Sequence, residues 1–111
     1  PPVYTNYLNG TAEAFALVKR LDNPGLAVNL DLSTMLAQDE SLQSFVDDMK
    51  YVSHVHISEP GLAPIEKRPE HKELALLLGA VGYQGYVSVE MGCTDLETIR
   101  RTLDYIAEVF A

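Results

Sequence analysis

The chain has 111 residues, 47% of them apolar, with 16 acids against 8 bases and a formal net charge of −8. That is enough for one domain with one core, too apolar for wholesale disorder, and without a basic stripe to grip nucleic-acid phosphates. No run reaches membrane-spanning length, and the single cysteine, Cys93, excludes an intrachain disulfide and suits a reducing, cytoplasmic setting. Pro1-Pro2-Val3-Tyr4 is not a signal peptide; a start on two prolines without methionine reads as a piece cut from something longer, or as processing or tag removal.

In chain order, Pro1 to Gly10 reads as loop, rich in tyrosine and asparagine. Thr11 is the expected N-cap of a first helix whose apolar positions are Ala14, Leu17, Val18 and Leu21, and Asn23-Pro24-Gly25 stops it. Leu26 to Leu32 is a strand with Val28 and Leu30 on one face and Asn29 and Asp31 on the other. Ser33 to Ser41 reads as a polar connection. Leu42, Phe45, Val46 and Met49 then mark a second helix, with Asp39 or Ser41 near its cap.

Tyr51 to Gly61 holds the second strand, where His54 and His56 alternate with Val55 and Ile57. A long loop from Ser58 to Pro69 follows, and Glu70 to Leu78 is helical through Leu74, Leu77 and Leu78. Tyr86 to Glu90 is the third strand, with Val87 and Val89 on one face and Ser88 and Glu90 on the other. Thr94 with Glu97 forms a capping box for a last helix striped by Leu96, Ile99, Leu103, Ile106 and Phe110. Helices alternating with strands imply right-handed crossovers and an α/β fold: three parallel strands with four helices. Such a sheet has two long unpaired edges, so a second copy or strands outside this sequence are expected to cover them.

Each strand ends in a polar pair spaced i, i+2: Asn29/Asp31, His54/His56 and Ser88/Glu90. If that face is a barrel interior, Asp31, His56 and Glu90 converge at the carboxyl ends of the strands, where ligands gather. Two carboxylates and an imidazole match the ligand set of a divalent metal: Zn²⁺, Mn²⁺, Mg²⁺ or Co²⁺. Plainer duties exist for each: a helix cap for Asp31, a satisfied half-buried histidine for His56, a salt bridge for Glu90. His54, one layer deeper, is expected to support His56 by hydrogen bonding or to meet a ligand itself. Glu59, just past the strand, is a candidate acid/base or substrate-hydroxyl contact, or else a solvated loop charge. His71 is a candidate at the pocket mouth, or else an exposed helix residue. Glu66, Lys67 and Arg68 read as solvated surface, Tyr83 and Tyr86 as core. Cys93 has no partner at ligand spacing.

Three segments carry a resemblance: Asn29-Leu30-Asp31-Leu32-Ser33-Thr34-Met35, His54-Val55-His56-Ile57-Ser58-Glu59, and Gly82 to Met91. With these, and with Asn9 to Ala14 like the helix after a fifth strand, the chain resembles the sugar-phosphate isomerase/epimerase family. That family has the xylose-isomerase-like TIM barrel and includes the endonuclease-IV-type repair enzymes. The resemblance implies that residues 1–111 form the C-terminal portion of such a barrel, a partial (β/α)8 fold of roughly strands six to eight. It further implies that Asp31, His56 and Glu90 are metal ligands, with a fourth ligand, a strand-five glutamate, lying before Pro1.

The implied activity is isomerisation or epimerisation of a sugar or other hydroxy-carbonyl substrate through an enediolate. Glu90, or the glutamate beyond this sequence, would take the α proton. Two positions depart from the family. Thr34 stands where a substrate- or metal-contacting histidine is common, and Leu62 stands where the ketohexose 3-epimerases carry arginine. The resemblance also allows a piece inactive on its own, an oligomerisation or partner-binding element, and a metal-dependent phosphodiesterase; the acidic balance weighs against the last.

Overall fold

A computed structural model describes residues 10–92 and 94–111. The loop expected over residues 1–9 and Cys93 lie outside the described residues. The elements are α1 (Thr11–Leu21), β1 (Val28–Asp31), α2 (Leu32–Ala37), a 3-10 segment (Leu42–Tyr51), β2 (Val52–Ile57), a short 3-10 turn (Pro60–Leu62), α3 (Pro69–Ala80), β3 (Val87–Val89) and α4 (Leu96–Val109). The three strands are all parallel, in the order β1-β2-β3. Alternation decides the two sides of the sheet. Leu30, Val55 and Ile57 are fully buried and Val28 nearly so, while Asn29 is exposed and Asp31, His54, His56, Ser88 and Glu90 are half-buried.

The apolar side forms one cluster with Phe15 and Val18 of α1, Leu42, Phe45 and Met49 of the 3-10 segment, Leu74 and Leu78 of α3, and Ile106 of α4. Burying each of these large side chains contributes about 1.5–3 kcal/mol. That one-sided cover leaves the polar pairs accessible on the other side.

Several expectations change at this level. Leu32 leaves the strand and starts α2, so the connection read from Ser33 to Ser41 is helical as far as Ala37. Asp31, at its N-cap, accepts the Ser33 amide, and a carboxylate there ends β1 and starts α2 together. Residues 42–51 wind as 3-10 rather than α-helix. Three residues per turn stack Leu42 above Phe45 and rotate Val46 outward, where it is 38% exposed.

The face of α1 is Thr11, Phe15 and Val18, with Leu21 left outside, and its N-cap is Gly10 rather than Thr11. The N-cap of α4 is Asp95, whose carboxylate accepts the Thr98 amide at 2.7 Å, in place of the expected Thr94 box. Tyr86 is exposed rather than core. The Tyr83 phenol instead donates to the Tyr86 carbonyl at 2.6 Å, folded over a Gly85 that has no room for a Cβ; one built there would sit 2.8 Å from the Ser53 carbonyl.

Candidate metal centre

The strand register builds the site. Asn29 stands beside His54 and Asp31 beside His56, and His56 in turn beside Ser88. Paired residues in a parallel sheet share a face, so the polar pairs of all three strands point the same way. Glu90, expected level with His56, lies one pleat further along. Its amide extends the ladder to the Ile57 carbonyl at 2.9 Å, and its side chain reaches back to put Oε2 2.9 Å from His56 Nδ1. Ser88, which is level with His56, instead meets His54 Nε2 at 2.9 Å. His54 and His56 touch edge to face, their ring centroids 4.7 Å apart, so His54 packs against its neighbour and bonds elsewhere.

Donor atoms of Asp31, His56 and Glu90 all lie within 4.8 Å of one another. Donors on one ion at about 2.0–2.2 Å stand about 3–3.6 Å apart when adjacent and about 4.4 Å apart when opposite, so closing on a cation needs the side chains to draw together by about 1 Å. Glu90, 43% exposed, is free to make that movement. Asp31 is already prepared. Its Oδ1 accepts the Ser33 amide at 3.0 Å, the Ser33 hydroxyl at 2.7 Å and the Ser58 hydroxyl at 2.6 Å. Burial pushes this carboxyl up, but the Ser58 and Ser33 bonds and the Ser33 and Thr34 amides outweigh it and hold it below the usual aspartate value. Two carboxylates and an imidazole suit a divalent cation in donor type, so the residues fit the implied metal. Thr34 is half-buried in the first turn of α2, beside Asp31 rather than across from it.

Glu59 is not a solvated loop charge. Its side chain is 3% exposed, and Arg68 holds it with Nε at 2.9 and 2.8 Å and Nη2 at 2.5 Å, while the Glu66 amide adds a bond at 3.3 Å. Burial pushes its carboxyl up; the Arg68 guanidinium, with the Glu66 amide and the His71 ring, outweighs this and holds it below the ordinary glutamate value. With both oxygens taken by one arginine, the pair clasps the loop after β2 across nine residues. Arg68, read as solvated surface, is therefore half-buried.

The mouth position expected for His71 is also corrected. The residue is fully buried at the contact of α3 with α4, its Nδ1 2.7 Å from the Tyr105 hydroxyl. Its position on α3, three before Leu74 and seven before Leu78, puts it on the core stripe. Leu62 is held in the left-handed region, φ 56°, and its carbonyl accepts the Gly92 amide at 2.8 Å, tying the loop to the end of β3.

No family model matches the chain, and no curated protein matches it. Solved structures do. The 3-keto-D-glucoside 4-epimerase from E. coli, in its apo form, superposes with a TM-score of 0.74 at 23% identity, over 95% of this chain and 41% of that one. D-psicose 3-epimerase from Clostridium cellulolyticum H10, solved with D-tagatose, gives 0.73 at 23% identity, over 92% and 44%. A D-psicose 3-epimerase solved in the presence of D-fructose gives 0.70 at 21% identity, over the same shares. At these identities the likeness is one of fold: three parallel strands and their helices match a fragment of epimerase barrels, and the chain spans less than half the length of each.

Proposed function

We propose that residues 1–111 are the C-terminal portion of a divalent-metal-dependent sugar isomerase or epimerase of the xylose-isomerase-like barrel type. The observation that carries the reading is the convergence of Asp31, His56 and Glu90 from three successive parallel strands. Those residues would hold the ion. When bound, it supplies positive charge beside the carbonyl and adjacent hydroxyl of the substrate and so stabilises the negative charge of an enediolate. The remaining work belongs to the chain. Glu90, more exposed than His56, is assigned to proton transfer at the carbon next to the carbonyl. His54 and Ser88 form the floor beneath His56, and Thr34 lines the β1 side. The Glu59–Arg68 clasp holds the loop after β2. The substrate class is a small sugar or hydroxy-carbonyl compound, processed in the cytoplasm.

Three strands make less than half of a barrel wall, so the reading includes a cover for the open sheet, assigned to a second copy of this chain. Metal analysis of the purified protein after loading with Mn²⁺, Zn²⁺ or Co²⁺ tests the centre. Stoichiometric uptake lost in His56→Ala supports it. A folded wild-type chain that takes up none of the three ions removes the metal reading and leaves an interaction element.

A further inference from the structure

We infer that Ser58 is a positioning residue for Asp31, fixing which carboxylate oxygen is offered to a cation; this rests on the metal reading above. Ser58 follows His56 by two residues, is fully buried, and has a hydroxyl that both accepts and donates. Its Oγ accepts the Ser33 amide at 3.1 Å and donates to Asp31 Oδ1 at 2.6 Å. The Ser33 hydroxyl and amide reach the same oxygen at 2.7 and 3.0 Å. Three donors therefore converge on Oδ1 and none of these three goes to Oδ2, while the Thr34 amide adds a lesser pull on the carboxylate. Hydroxyl-to-carboxylate bonds of this length are charge-assisted and among the stronger ones in proteins.

An aspartate carboxylate turns easily about its last torsion, so nothing covalent selects one oxygen over the other. Saturating Oδ1 from the protein side does select, leaving Oδ2 as the oxygen with capacity for a positive ligand. Ser33 belongs to the same helix start as Asp31 and moves with it. Ser58 comes immediately after β2, 27 residues away, and so ties the Asp31 carboxylate to the strand that carries His56. A hydroxyl that only capped α2 would need the Ser33 amide alone. The bond onward to Oδ1 is the feature a cap does not require.

The test is Mn²⁺ titration calorimetry on the whole chain, with circular dichroism and thermal unfolding alongside. Ser58→Ala is expected to fold and to weaken Mn²⁺ binding by about 10–100-fold, as loss of a partner behind a metal ligand does elsewhere, and Ser58→Thr, which keeps the hydroxyl, is expected to bind near the wild-type level. A folded Ser58→Ala with wild-type affinity and stoichiometry overturns the inference while leaving the metal centre standing. Wild-type protein without Mn²⁺ uptake overturns both. If Ser58→Ala does not fold, Ser33→Ala decides, because it deletes one of the three donors from a half-buried position: unchanged affinity there overturns the role of the network, and weakened affinity supports it.

Discussion

At His71 an imidazole fills a place on α3 that an aliphatic residue would ordinarily hold. Burial drives its pKa down; the charges of Glu59 and Glu70 pull it up and that of Arg68 pushes it down, and the net direction is below the ordinary value of 6.5. The folded state therefore holds a neutral ring that the unfolded chain protonates more readily. Its contribution to stability is present above pH 6.5 and lost as pH falls from there through the lowered folded value. Glu59 acts in the same direction at lower pH. Its carboxyl is held below the ordinary value of 4.5, so the stability it adds is present above 4.5 and lost as pH falls through its folded value. Urea unfolding at a series of pH values is expected to show stability falling in two stages, the first beginning near 6.5. His71→Gln keeps a polar partner for Tyr105 and should flatten the first stage alone. A variant with the wild-type slope would remove His71 as the cause.

At the scale of elements, the polar pair at each strand end was legible because alternation in a short run leaves little freedom. Val55 and Ile57 face the core, so His54 and His56 must share the other side. What stayed hidden depended on contacts distant in sequence or on short range without a period. The six residues of α2 are too few to show one. Arg68 sits in a charged run that reads as surface, and its carboxylate partner lies nine residues back across a loop. His71 has core spacing from Leu74 and Leu78, but a histidine near a helix start also reads as a pocket-mouth or exposed residue. The start of α1 is a further case. Gly10 gives no side-chain cap, and the Glu40 carboxylate supplies it from the far end of the β1–α2 unit, accepting the Thr11 and Ala12 amides at 3.3 Å each. An anion at that end also meets the positive pole of the helix. Glu40→Ala is expected to cost about 0.5–2 kcal/mol, the range for losing a helix cap. Chemical denaturation measures it, and a change near zero would mean that water replaces the carboxylate there without loss.

For the whole molecule, the telling element is α4, because it carries two apolar stripes and the described residues use one. Thr102 and Ile106 turn inward with Tyr105, whereas Leu96 and Leu103, expected in the core stripe, are 73% and 52% exposed. The outer stripe borders a groove of about 370 Å³ lined by Val89, Met91, Gly92, Thr94, Ile99 and Leu103, at the open edge of β3. An outer apolar stripe is a surface that a partner can cover, and a sheet that stops at β1 and β3 leaves backbone donors and acceptors unpaired along both edges. Epimerase barrels with the same fragment continue for more than half their length beyond it. If a second copy supplies that cover, sedimentation at micromolar concentration should give a mass that is a multiple of 12.3 kDa. Leu103→Asp, placing a charge in the groove without touching the inner stripe, should shift the protein to monomer with its helical signal unchanged. A wild-type chain that sediments at 12.3 kDa across the accessible range would assign the groove to segments outside this sequence, and with it the rest of the wall around Asp31, His56 and Glu90.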